Sequence, residues 1–426
     1  MQAIETWLER APQRCALVWI ALWCVLSVLT PIDASYDVLH YHLHNGWSAW
    51  EGRLERDLAP AGMHSYFNPL HNLIVHGLIL ALPAGLVTAL LGLLQALILL
   101  PLYILCRRVL SSLGHDSRTT ALLIALAGFL NYSMLHTVAS VRNDHLIAGA
   151  FILSVVLLMP ADGRAPGWRR AGLAAFITGL SIGLKLTAVI HAAGLAAAIL
   201  VAVPGVRSRI EAAGAAAIAG LAGIVLTGGW WLHKMWTVTG NPVFPMANGI
   251  FRSPYGLPEN FRDERSLPDS VWDVLLFPVN GASRYNEYDH PAWQDLQFGL
   301  FYLAVLILLA AGGYALSRRE PHVFPSSSRI YWMVLAAILA ILAAWFPLFA
   351  IGRYVMSVWM ISPLMFFATI LLVWPAMRQS RRALLVAGAI CVACFLAGNS
   401  VGQRRVPLPD LGAPYITVEA PASLQF

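Results

Sequence analysis

Residues 82–106 read LPAGLVTALLGLLQALILLPLYILC, twenty-five positions without a charge. Coiled as a helix, a run of that length and apolarity spans the roughly 30 Å hydrocarbon core of a bilayer. Comparable runs recur at 15–32, 118–138, 145–160, 171–187, 189–204, 212–236, 297–316, 330–350, 354–374 and 383–400. Hydrophobic residues make up 58% of the chain and charged residues 12%, against about 25% charged in soluble domains. Backbone polar groups in lipid must be paired within the segment, which leaves helices as the spanning element here. The sequence therefore predicts an all-α polytopic membrane protein of about eleven spans, one transmembrane domain over 1–401 with a short extended tail at 402–426.

Two regions set the count. Residues 69–106 are too long for one span, so 69–81 is read as an interfacial or half-inserted helix. Residues 171–204 hold two spans only with a tight hairpin at Lys185–His191. The N-terminal segment carries Glu5, Glu9, Arg10 and Arg14 before the apolar Cys15–Pro31 stretch, which reads as an uncleaved first span. All five cysteines fall in or beside apolar runs, so no disulfide framework is implied. Cys391 and Cys394 read as small packing residues despite their redox spacing.

Charge fixes the expected orientation. With the N-terminus inside, the inner loops hold sixteen cations against six acids, and the remainder holds twelve against sixteen. Positive charge concentrates on the cytoplasmic side, so the N-terminus is expected inside and the C-terminus outside. The net charge of +6 then reflects topology and contact with anionic headgroups rather than nucleic acid.

On this reading the unusual residues gather at the outer face, in loops 33–70 and 237–295 and at the nearby span ends. The first loop carries Asp33, Asp37, His40, Tyr41, His42, His44 and Trp47. Such groups beside lipid are costly and usually kept for chemistry or binding. If 36–50 is helical, Asp37, His40, Tyr41 and His44 share one face. The segment Trp47–Leu58 is amphipathic and suits an interfacial helix. His40 and His44, at i and i+4, are a candidate pair for a divalent metal, which nothing else in the sequence specifies. The plainer alternative is a polar loop whose histidines bond to headgroups.

Arg142, Asn143 and Asp144 open the fourth span, where an acid also suits the helix dipole. Lys185 closes the fifth, where a lysine also snorkels to the interface. Gly179 and Gly183 suit close helix packing. Lys185 and Lys234 are the chain's two lysines. Arg353-Tyr354 follows the ninth span, Pro268–Phe277 reads as a surface-lying amphipathic turn or helix, and 284–290 reads as a polar aromatic cover. No repeat, P-loop or nucleotide-binding glycine fingerprint stands out, which disfavours a nucleotide-sugar donor.

The blocks SYDVLHYHLHNGW (35–47), YFNPLHNL (66–73), SVRNDH (140–145), GLKLTA (183–188), WWLHKMWTVTGNPVFPMAN (230–248) and GRYVMSVWMISP (352–363) carry a resemblance. Their order resembles the GT-C superfamily of integral-membrane glycosyltransferases, in particular bacterial relatives of protein mannosyltransferases and of the lipid A aminoarabinose transferase. It covers about residues 15–375. An early acid pair and a sizeable soluble C-terminal domain are missing from the pattern, which leaves Asp33 or Asp37 as the early acid and argues against a protein acceptor.

The resemblance implies an inverting enzyme in the bacterial inner membrane with a periplasmic active site. It would move a sugar from a polyprenyl-phosphate carrier to a lipid or glycan acceptor, with no cofactor required beyond a divalent metal at most. Asp37 would be the base and Asp144 would position the acceptor or a metal. Arg353, Lys185 and Arg142 would hold the donor phosphate. Tyr41 and Trp47 would stack on the sugar, with His44 and Asp33 as further substrate contacts. The competing readings are an O-antigen ligase or polymerase using a lipid-pyrophosphate donor, and a lipid-linked-sugar transporter.

Overall fold

The computed structural model describes residues 12–56, 62–159, 165–260, 263–264, 266–278, 296–318, 328–398, 405–407 and 410–415. Among them helices dominate, and the β structure is a two-residue ladder, Ile32–Asp33 against Arg405–Val406. Five helices among the described residues are long and apolar enough to cross a membrane: Ala84–Ser112, Val206–Thr239, Leu296–Arg318, Arg329–Leu348 and Gly352–Val373. Shorter apolar helices include Arg14–Leu29, Leu70–Ala81, Arg118–Phe129, Asp144–Leu158 and Leu186–Ala202.

Three local readings are corrected. The expected 118–138 span stops at Phe129, and a separate short helix runs Tyr132–His136. Asn131 is the cause: its amide donates to Gly128 O at 2.9 Å while its carbonyl accepts from Met134 N at 3.0 Å, capping one helix and starting the next. The amphipathic 47–58 helix ends at Trp50. Gly52 sits in the left-handed region at φ 63°, and Arg53 N closes back on Ser48 O at 2.8 Å, a Schellman stop. The shared face across 36–50 is split by a π-helical turn, Val38–His42, which widens the spacing and buries Tyr41 while leaving His40 exposed.

The chain forms two compact units. The larger comprises Met1–Cys15, Ile98–His136 and Asn143–Gly402. At its centre lies the Asp144–Leu158 helix, apolar all round and packed by Trp168–Leu184, Leu99–Ser112, Met356–Val373 and Ile190–Ala202. Trp168–Leu184 and Val206–Thr239 approach closely along glycines. A Cβ at Gly179 would overlap the Gly220 carbonyl, and one at Gly183 would overlap Thr227 Oγ1. The far side of Val206–Thr239 exposes Ile210, Ile218, Leu221, Val225 and Leu226, an apolar surface that water covers poorly.

The smaller unit comprises Ala16–Leu97, Thr137–Arg142 and Gln403–Phe426. Leu43–Trp50 packs on Leu70–Ala81. The C-terminal segment is tied in. Besides the ladder, Ala413 O and Leu411 O accept from Ala84 N and Gly85 N at 2.9 and 3.1 Å, satisfying the open N–H groups at the start of the Ala84–Ala96 helix.

Candidate functional site

In the larger unit, three helical starts bring charge together. Asp144 is the first residue of its helix and is 7% exposed. The Trp168–Leu184 helix ends at Leu184, Lys185 turns extended at φ −151°, and a 3₁₀ turn over Leu186–Val189 leads into Ile190–Ala202. That break aims the lysine at Asp144, with Nζ 2.5 Å from Oδ1. The same ammonium lies 5.0 Å from the centre of the Tyr354 ring, and the Arg353 guanidinium lies 5.5 Å from it. Tyr354 belongs to the 3₁₀ turn Gly352–Val355 that opens the Met356–Val373 helix.

Chemically, the cluster holds two cations, one carboxylate and an aromatic face that stabilises both cations. Helix starts add partial positive charge, so the local field favours an anion. The turn is held under strain. Ala350 adopts φ 47°, a region costly for a residue with a Cβ, and is fixed by its N–H to Trp345 O at 3.0 Å. Trp345 Nε1 also donates to Ile351 O at 2.9 Å. Nearby on the Ile190–Ala202 helix, buried His191 bonds to Ser357 Oγ at 2.9 Å, a pairing across 166 residues that no local spacing reveals.

The smaller unit holds a second polar cluster. Asp33, 2% exposed, accepts from Ser140 Oγ at 2.7 Å through Oδ2 and from Ser35 N at 2.9 Å through Oδ1, and Arg142 Nε lies 3.5 Å from Oδ2. Arg142 is itself 4% exposed. His71 Nε2 donates to Val141 O at 2.9 Å. Gln95 braces the preceding turn, with Nε2 donating to Thr137 O at 2.5 Å and Oε1 accepting from Ala139 N at 3.1 Å. Ala139 stands at φ 54°, so this turn, like the one before Arg353, is held in an unfavourable backbone state.

In the same unit, Asp37 is half-buried at the head of the π turn. Tyr41 stacks on His64 with centroids 4.8 Å apart, and His42 Nδ1 donates to Asn72 Oδ1 at 2.9 Å. His40 stacks on Tyr36 at 4.0 Å and bonds to its carbonyl. His44 meets the edge of Trp47, whose ring lies under the Arg53 guanidinium at 5.0 Å. Among the described residues no group of three His, Cys, Asp or Glu is placed to hold a metal.

The structure thus joins Asp144, Lys185 and Arg353 in one cluster and Asp33 and Arg142 in another. Sequence reasoning missed His71, Gln95, His191 and Ser357. Gln95 had a signal, an amide inside the uncharged 82–106 run, where an unpaired side chain is too costly to keep. The 284–290 cover lies outside the described residues.

These features define a helical protein with, among the described residues, five helices long and apolar enough to cross a membrane and two buried polar clusters. The chain belongs to the family described as "Domain of unknown function (DUF8201)", which matches residues 86–360. No curated protein and no solved structure matches it.

Proposed function

We propose that this protein is an integral-membrane glycosyltransferase of the GT-C type, taking a sugar from a polyprenyl-phosphate carrier with inversion. It resides in the bacterial inner membrane, crosses it about eleven times and works on the periplasmic side on a lipid or glycan acceptor. The observation that carries the reading is the pairing of Lys185 and Arg353 on the Tyr354 ring at helix starts. Negative charge grows on the departing phosphate as the sugar–oxygen bond breaks, and prepositioned cations stabilise it. Asp144 fixes the lysine through one ammonium proton and leaves the others for phosphate oxygens.

Displacement also requires a carboxylate to take the acceptor hydroxyl proton as that oxygen bonds to the anomeric carbon. Of the two early acids, Asp33 is buried and committed to Ser140, Ser35 and Arg142, whereas Asp37 is half-buried. That contrast favours Asp37 as base and gives Asp33 and Arg142 a framework role.

The test supplies membranes containing the protein with radiolabelled polyprenyl-phosphate sugars and follows label into lipid and glycan. Wild type transfers label, and Asp37→Asn transfers at least about a hundredfold more slowly. Undiminished transfer by Asp37→Asn removes the base assignment. Translocation of the donor without transfer by the wild type replaces the enzyme with a transporter.

A further inference from the structure

Lys185 and Arg353 are two like charges on one aromatic face, 5.0 and 5.5 Å from the centre of the Tyr354 ring. Like charges repel, so a fixed spacing between them has to be held by something else. Asp144 holds the lysine's ammonium. The turns that carry the two cations need a separate tie, and His191 is placed to supply it.

His191 is 2% exposed and lies in the first turn of Ile190–Ala202, within the larger unit. Its ring meets every element of the cluster. Nδ1 lies 3.2 Å from Ala188 O, in the 3₁₀ turn directly after Lys185. Ala188 N in turn donates to Lys185 O at 2.9 Å. Nε2 lies 2.9 Å from the oxygen of Ser357, a fully buried residue on the helix that Arg353 and Tyr354 lead into. The ring also packs on Phe151 of the Asp144–Leu158 helix, with centroids 4.8 Å apart.

A carbonyl only accepts, so Nδ1 carries the proton and Nε2 of the neutral ring accepts from the Ser357 hydroxyl. The bonds run from Lys185 O through Ala188 and His191 to Ser357. Both ends are firmly seated. Ala188 is buried against Ile147 and Ile182. A Cβ on Gly352 would meet the Trp359 ring at 2.9 Å, so the turn bearing Arg353 lies hard against its own helix and moves with it.

We propose that His191 is a positioning residue for the donor phosphate: bonded to Ala188 and Ser357, it sets the distance between Lys185 and Arg353 at which both cations reach the phosphate oxygens. It acts through those cations and takes no part in the chemistry. The proposal rests on the reading of Lys185 and Arg353 as the phosphate's partners.

The test measures binding of a fluorescent polyprenyl monophosphate, and of the matching polyprenol, to the full-length protein in detergent, with thermal unfolding of the same samples. Wild type binds the phosphate more tightly than the alcohol, and Arg353→Gln loses that preference. Ser357→Ala strands Nε2 and lowers the unfolding midpoint. His191→Phe/Ser357→Ala removes both polar partners and keeps a ring against Phe151, while Ala188 O retains the Ile190 N–H. Its stability therefore returns close to wild type. Its Kd for the phosphate stays raised about tenfold, the worth of one misplaced hydrogen bond to a charged group. A purely structural tie would recover both. His191→Gln again offers Ser357 an acceptor and holds the Kd within about twofold of wild type. Wild-type affinity in the double variant, or a raised Kd that His191→Gln shares, overturns the positioning role, while the loss in Arg353→Gln keeps the phosphate reading. Absence of a phosphate preference in the wild type, or its survival in Arg353→Gln, overturns the reading and the proposal together.

Discussion

Lys185 Nζ meets Asp144 Oδ1 at 2.5 Å, joining the extended break after one helix to the first residue of another, with 13% and 7% of the two side chains exposed. Charges this buried are tolerated because each is the other's partner. Removing one strands its mate, which costs about 3–5 kcal/mol, whereas removing both together costs less than the sum. Asp144→Asn and Lys185→Met should each lower unfolding stability in detergent by about 3 kcal/mol, and the double variant should recover at least about 1 kcal/mol. Strictly additive losses in that cycle would show that the two groups are not coupled.

The two early acids should separate by what they damage. Asp33 accepts two hydrogen bonds and faces a buried guanidinium, so Asp33→Asn should lower stability by roughly 2 kcal/mol. Asp37→Asn should lower stability by less than Asp33→Asn does, while the transfer rate collapses. Thermal unfolding and label transfer on the same preparations decide between them. A stable Asp33→Asn protein with no transfer would exchange the two roles.

Tyr354 presents one ring to two cations, and its hydroxyl is not what serves them. Tyr354→Phe keeps the aromatic face and should retain most of the donor affinity. Tyr354→Ala loses it and should raise the KM for the polyprenyl-phosphate sugar by about tenfold, equivalent to about 1.4 kcal/mol. Arg353→Lys keeps the charge but not the planar fork, so its effect should fall between the two. Equal KM values for the Phe and Ala variants would remove the ring from the account.

Helicity and the apolar runs were legible because an uncharged run of that length can pair its backbone polar groups within itself only as a helix. The 82–106, 297–316 and 330–350 runs correspond to Ala84–Ser112, Leu296–Arg318 and Arg329–Leu348 in the structure. Gly179 and Gly183 were readable for the same reason, since small residues one turn apart mark close helix contact. What escaped depends on single side chains and non-local pairs. Asn131 divides the 118–138 run by turning its amide onto the backbone, and Gly52 stops the helix after Trp50. The π turn at Val38–His42 defeats a helical wheel drawn at constant pitch. His191 finds Ser357 only through tertiary packing.

Gln95 offers the last prediction, because one buried side chain there supports a strained turn. Its Nε2 donates to Thr137 O, and its Oε1 accepts from Ala139 N and from Trp23 Nε1 at 3.4 Å. Gln95→Leu is close in size but leaves the Ala139 N–H buried without its acceptor, at a cost of about 1–3 kcal/mol, and takes one donor from Thr137 O, which keeps Ser140 N at 3.0 Å. Gln95→Glu keeps the acceptor to Ala139 N but removes the donor to Thr137 O and places a charge where exposure is 0%. The Glu variant should therefore be at least as destabilised as the Leu variant. The same turn leads into Ser140 and Arg142, so slackening it should also loosen their hold on Asp33. Hydrogen exchange should show faster opening at Ala139 and at Ser35, whose N–H bonds to Asp33, while the Asp144–Leu158 amides stay protected. Unchanged exchange at Ser35 in Gln95→Leu would separate the brace at Gln95 from the Asp33–Arg142 cluster.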